Sequence, residues 1–156
     1  MPDPNQKLKE AWILREIRSD DMPAIFDVRV ATWHNPNGRQ EMTQMGITPD
    51  SVCQLIESSH RGWLAETGSG QVIGFAMGNK TNGEMWVIAV LKEFENRGVG
   101  RVLLDQVEQW LNSEGWEEIW LTTDVDEELR AVGFYRHLGW EDWKFEDGDR
   151  FMRKRF

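Results

Sequence analysis

Val90-Leu91-Lys92-Glu93-Phe94-Glu95-Asn96-Arg97-Gly98-Val99-Gly100-Arg101-Val102-Leu103-Leu104 carries the most informative local pattern in the chain. It runs from the end of a buried strand through a short loop into a helix that opens with two glycines one residue apart. The first N–H groups of a helix have no partner within it, and glycine lets a ligand come close to the main chain. Arg97 and Arg101 add positive charge at the same helix end. Phosphate binding is the functional reading. A tight turn with close helix–sheet packing explains the same glycines, and this segment alone leaves both open. The stretch contains neither a G-x-x-x-x-G-K-[ST] loop nor a G-x-G-x-x-G fingerprint.

Working outward, the helix is expected over residues 98–113, with Val99, Leu103, Val107, Trp110 and Leu111 on one stripe and Gly115 ending it. The strand before it, residues 84–90, is apolar over most of its length, which predicts a central strand covered on both faces. Upstream, residues 62–66 and 71–77 flank Gly68-Ser69-Gly70 as a hairpin, and Asn82-Gly83 marks a second tight turn. Earlier still, residues 12–17 read as a strand. Ser19-Asp20-Asp21 then supplies a helix cap and first-turn acids. Met22, Ile25, Phe26 and Val30 recur at helical spacing as far as Thr32. Residues 34–38 form an irregular connection, and a second helix starts with Thr48 as cap and Pro49 at the first position.

Downstream, residues 117–123 read as a strand and 127–137 as a helix whose acids and bases match its dipole. Gly139 closes that helix. A terminal hairpin, residues 140–145 and 150–156, turns at Asp147-Gly148. The order is βααβββαβαββ, which predicts a single α/β (α+β) domain with a mixed central sheet of about seven strands and helices on both faces. Residues 1–10 are expected to be a flexible start.

The chain has 156 residues, 40% hydrophobic and 29% charged, which suits one folded domain. No apolar run approaches the roughly 20 residues of a membrane span, and the first residues carry no leader pattern. A cytoplasmic protein with no membrane partner is the expectation. Cys53 is the single cysteine, and His34, His60 and His137 lie far apart. This spacing predicts neither a disulfide nor a metal site. A net charge of −9 argues against nucleic-acid binding and mildly favours cationic amines.

A second constellation is Leu129-Arg130-Ala131-Val132-Gly133-Phe134-Tyr135-Arg136-His137-Leu138-Gly139-Trp140, which contains the chain's one tyrosine. The two segments, in this order, resemble the GNAT superfamily of acyl-coenzyme-A-dependent N-acyltransferases. The first is similar to its motif A, a strand followed by Q/R-x-x-G-x-G/A. The second is similar to its motif B, A-x-x-F-Y-x-x-x-G-F/W. The resemblance is specific from Trp86 to Trp140 and weaker before Arg61.

The resemblance implies acetyl-CoA as co-substrate and a small-molecule or peptide amine as acceptor. Ile88, Ala89 and Val90 would lie beside the pantetheine arm, one of their N–H groups facing the oxyanion. Asn96, Arg97, Gly98, Val99, Gly100 and Arg101 would line the pyrophosphate, with Phe134 and Arg136 also at the cofactor. Tyr135 would protonate the departing thiolate. Glu84 is the first candidate base, acting through water, and Asp124 the second. Trp33, His34, Asn35 and Met42 would line the acceptor site. Glu95 and Glu128 depart from the family pattern, and an acid at Glu95 is expected to repel phosphate unless it turns to solvent. Asn96 replaces a frequent glycine and tolerates left-handed backbone. The alternative is a non-catalytic acyl-CoA-binding module. A homodimer is compatible with the nine tryptophans.

Overall fold

The computed structural model describes residues 11–32, 38–124 and 130–156. The expected flexible start, residues 1–10, lies outside the described residues. Strand β1 (Trp12–Glu16) leads through a 3-10 turn into helix α1 (Met22–Thr32). Ser19-Asp20-Asp21, expected to cap α1 and supply its first-turn acids, form that 3-10 turn themselves, and no acid lies in the first turn of α1. Asp21 accepts from the Arg18 N–H at 2.7 Å and from the two terminal Arg15 guanidinium nitrogens at 2.8 Å. Helix α2 (Gly38–Gln44) is an element that the sequence pattern does not predict. Among its described side chains one is buried, Met42, and a single apolar anchor leaves no repeating stripe to detect. Helix α3 (Pro49–Ile56) begins as expected, with the Ser51 N–H donating to Thr48 Oγ1 at 3.1 Å and the Thr48 N–H donating to Ser51 Oγ at 2.9 Å.

Strands β2 (His60–Thr67), β3 (Val72–Asn79) and β4 (Glu84–Val90) form the meander. A 3-10 turn then leads to α4 (Val99–Ser113), β5 (Glu118–Asp124), α5 (Arg130–His137), β6 (Glu141–Glu146) and β7 (Asp149–Arg155). One seven-stranded sheet results, in the order β1-β2-β3-β4-β5-β7-β6. Neighbours are antiparallel except β4 and β5, which run parallel. No described helix is long and apolar enough to cross a membrane.

Alternation along the strands, interrupted at Ile73 where β3 slips its register against β2, splits the core between the two faces of the sheet. Phe75 and Met77 pack with Ile25, Phe26 and Val52 beneath α1 and α3. Ile73 and Ala76 pack with Leu103, Leu104, Val107 and Leu111 beneath α4. Helix α4 comes very close to β3 because Gly78 has no side chain; a Cβ there would lie 2.8 Å from Val107 Cγ1.

Strand β4 is central as predicted, but it is not covered throughout. Met85 and Ala89 are buried while the other five residues are half-buried. Two features account for the difference. Its register against β3 slips between Met77↔Val87 and Gly78↔Met85, leaving Trp86 as an extra residue; such a bulge bends and twists a strand. Against β5 the register holds one pair, Glu84↔Trp120. The two strands then part, and space opens along the C-terminal half of β4.

Candidate active site on the central strand

The space beside β4 on the α4 side is a cleft of about 290 Å³. Ile88, Ala89 and Val90 form one wall, the start of α4 the floor, and Ala131, Phe134 and Tyr135 of α5 the other wall. Gly98 caps α4 with φ of 80°, a left-handed geometry that glycine adopts without strain, and it brings no capping side chain. No acid occupies the first turn, so the opening N–H groups meet the cleft uncovered. A Cβ at Gly100 would lie 3.3 Å from Phe134 Cζ and 3.6 Å from Val90 Cγ2. Glycine keeps this floor open, and the resulting cradle fits a phosphate held by main-chain donors.

The acid that seemed hostile to an anion is engaged. Glu95 Oε2 lies 2.9 Å from Arg130 Nη1, and Arg130 Nη2 donates to Asn96 Oδ1 at 2.6 Å. Asn96 takes left-handed geometry, φ 64°. Arg130 thereby joins the loop before α4 to the start of α5, and the local charge of Glu95 is balanced. Tyr135 is only 6% exposed. Burial pushes its phenol pKa up, so it stays protonated at neutral pH, while the nearby Arg29 charge pulls the other way.

On the opposite face, beneath α1 to α3, lies a second cavity of about 270 Å³. Phe26, Met42, Met45, Ile47, Val52 and Trp86 contribute apolar walls, and among the described residues Arg29 and Glu84 are its two charged lining residues. Desolvation raises the Glu84 carboxyl above the usual carboxylate value, against a hydrogen bond with Asn82. Burial lowers the Arg29 pKa. Cleft and cavity sit back to back: Trp86 and Val87 line one, Ile88 to Val90 the other.

The residues singled out from sequence divide as follows. Ile88, Ala89, Val90, Asn96, Gly98, Val99, Gly100, Arg101, Phe134 and Tyr135 all line the cleft. Arg97 is not among the lining residues; its guanidinium lies over the Phe94 ring, 5.5 Å from the centroid, with Nη1 buried and lacking a hydrogen-bond partner among the described residues. Arg136 is also absent from the lining and donates to Asp142 Oδ2 at 2.7 Å. Its position on α5, one residue past Tyr135, points it off the cleft face. Glu84 and Met42 line the cavity. The Asp124 backbone pairs with Asp149 at the end of β5, and its side chain lies outside the described residues, as do Trp33, His34, Asn35 and Glu128.

Sequence reasoning missed Arg29 and Arg130. Arg29 carried a signal: it sits three and four residues after Phe26 and Ile25, on the apolar stripe of α1. Arg130 carried none, because its partners are 34 and 35 positions away in the chain. Among the described residues no group of His, Cys, Asp and Glu is arranged to hold a metal.

Comparison with known proteins adds an independent line. The model of the Acetyltransferase (GNAT) family matches residues 14–140. An uncharacterized N-acetyltransferase of Chlorobaculum tepidum is 34% identical over 95 residues, covering 59% of this chain and 57% of that protein. Mycothiol acetyltransferase of an Arthrobacter species is 32% identical over 88 residues, covering 51% of this chain and 27% of that one. The chain thus spans about half or less of these curated relatives. Among solved structures, the PaiA N-acetyltransferase of Thermoplasma acidophilum, in complex with coenzyme A, superposes with a TM-score of 0.82. It is 15% identical, over 94% of this chain and 99% of that one. The ribosomal-protein-S18-alanine N-acetyltransferase of Escherichia coli gives 0.72 at 17% identity, over 93% and 94%. Likeness at this identity speaks for the fold.

Proposed function

Because this chain belongs to the acetyltransferase (GNAT) family, we propose that it transfers the acetyl group of acetyl-CoA directly to a primary amine, with Tyr135 as proton donor to the thiolate. The observation that carries this reading is the cleft between β4 and α5, floored by Gly100 and walled by Tyr135. The main chain from Gly98 to Arg101 holds the diphosphate, with Arg101 adding charge at the rim. The half-buried β4 residues Ile88 to Val90 offer main-chain groups to the pantetheine arm, much as an added strand would. An N–H in the same run faces the developing oxyanion, the usual role of a preorganised donor.

The amine enters from the cavity side. It must be neutral to attack, and a simple alkylammonium near pKa ~10 is mostly protonated at pH 7. Glu84 accepts that proton. Its place at the start of β4 puts it four residues before Ile88, on the order of 10 Å away at the rise of a strand, so water relays the transfer. Its raised pKa brings it nearer the working pH, where a general base is most effective.

Two measurements test this. Acetyl-CoA raises the melting temperature if it binds the native state, and thiol release with a panel of amines reports transfer. Gly100→Val is expected to weaken acetyl-CoA binding about 5- to 150-fold, since overpacking a tight site costs about 1–3 kcal/mol. Unchanged affinity in that variant overturns the cradle. Binding with no release for any amine leaves a non-catalytic acyl-CoA-binding module as the correct reading.

A further inference from the structure

Set among apolar walls, the acceptor cavity has, among the described residues, two charged lining residues of opposite sign, Arg29 and Glu84. From that juxtaposition we infer that the acceptor is a free α-amino acid with an apolar side chain, its carboxylate held by Arg29. The inference rests on the acetyltransferase reading above and names the substrate class of that same site.

Phe26, Met42, Met45, Ile47, Val52 and Trp86 offer aliphatic, thioether and aromatic surface. Thioethers adapt to irregular apolar bodies. At about 270 Å³ the cavity lies just below the roughly 300–1,000 Å³ common for small-molecule sites. It suits a body of amino-acid size better than a long polyamine. A polyamine or lysine-like chain would also carry a second cation into apolar surroundings next to a guanidinium, which is doubly unfavourable.

The position of Arg29 then selects the rest of the molecule. It lines the cavity and is also close enough to Tyr135 for its charge to act on the phenol. Its guanidinium therefore stands at the reacting end. An acceptor whose carboxylate sits one carbon from its amine can meet Arg29 while presenting nitrogen to the thioester. Arginine is suited to this because its planar fork can donate two parallel hydrogen bonds to a carboxylate. The apolar side chain then extends among Met42, Met45 and Val52. One positive and one negative wall group match a zwitterion. They match neither a plain amine nor a dication.

The balanced reaction joins the ammonium form of the amino acid and acetyl-CoA to give the N-acetyl amino acid, free coenzyme A and one proton. An N–C bond forms and the C–S bond breaks. One nitrogen proton leaves through Glu84 to solvent. The second offsets the proton that Tyr135 gives to the thiolate.

The test compares L-methionine, L-methioninamide and 3-(methylthio)propylamine as acceptors, with spermidine and L-lysine alongside, by thiol release and mass spectrometry. L-methionine is expected to have the highest kcat/KM. In Arg29→Met, which keeps the packing volume, the ratio of kcat/KM for L-methionine over 3-(methylthio)propylamine is expected to fall at least about tenfold, the scale of a lost charge-assisted hydrogen bond. Arg29→Lys should recover part of it. Preference for the amide, the plain amine or spermidine in the wild-type protein overturns the inference and leaves the acetyltransferase reading intact. If no amine is acetylated, that reading fails instead. Titration calorimetry of L-methionine against 3-(methylthio)propylamine then decides the cavity's assignment: carboxylate-dependent binding supports it, and equal or absent binding overturns it.

Discussion

Tyr135 and Glu84 pose the same physical problem from opposite sides: each is a titratable group drawn out of water, and each is displaced toward its neutral form. For Tyr135 that displacement keeps the phenol protonated, as the proposed role of proton donor requires. Tyr135→Phe should lower turnover about 10²-fold, the lower range for a positioned acid, with acetyl-CoA affinity within about twofold. Full turnover retained from about pH 6 to 9 would remove the phenol from the mechanism. For Glu84, burial raises the pKa, so the folded state holds the proton more tightly than the unfolded chain. Its contribution to stability is present at acid pH and is lost as pH rises through the raised value. Glu84→Gln should therefore raise the melting temperature slightly at pH 7. It should also cut kcat/KM at least about tenfold and flatten its rise with pH. An unaltered pH–rate profile would shift the base to Asp124 or to solvent.

Between elements, the contact that matters most for the cleft is the one from α5 to the loop before α4. Arg130 reaches Glu95 and Asn96, so an acid at the rim need not oppose a polyanion. The pair is partly exposed, with side chains 58% and 33% accessible, and exposed pairs contribute little to stability. Its effect falls on binding. Glu95→Gln releases the guanidinium to a phosphate, and acetyl-CoA should bind severalfold more tightly at low ionic strength. The gain should vanish near 1 M salt, where charges a few ångströms apart are screened. Weaker binding in this variant would mean that Glu95 holds Arg130 in place for the cofactor. The parting of β4 from β5 belongs to the same scale, since it makes the wall that both cavities share.

Across the whole molecule, two core layers brace the sheet from opposite sides and hold the cleft and the cavity back to back. The layer under α4 depends on fully buried residues such as Leu103 and Leu104. Leu104→Ala should cost about 2–5 kcal/mol in denaturant unfolding. Because α4 also presents the cradle, acetyl-CoA should restore part of the lost melting temperature. A variant destabilised by less than about 1 kcal/mol would show that the helix is not seated as described.

Much of this was legible from local chemistry. The strand from Glu84 to Val90, the glycines opening α4 and the Asp147-Gly148 turn each follow from short-range rules of burial, backbone freedom and turn geometry, and those rules act on neighbours in the chain. They sufficed for the seven strands and for the glycine-opened start of α4. Helix α2 escaped because its one buried anchor makes no pattern. The engagement of Glu95, the diversion of Arg97 over Phe94 and of Arg136 to Asp142, and the placing of Arg29 and Glu84 in one cavity all depend on which distant surfaces come together. Side-chain direction and local charge are set by those long-range contacts, and periodicity along a chain carries no record of them.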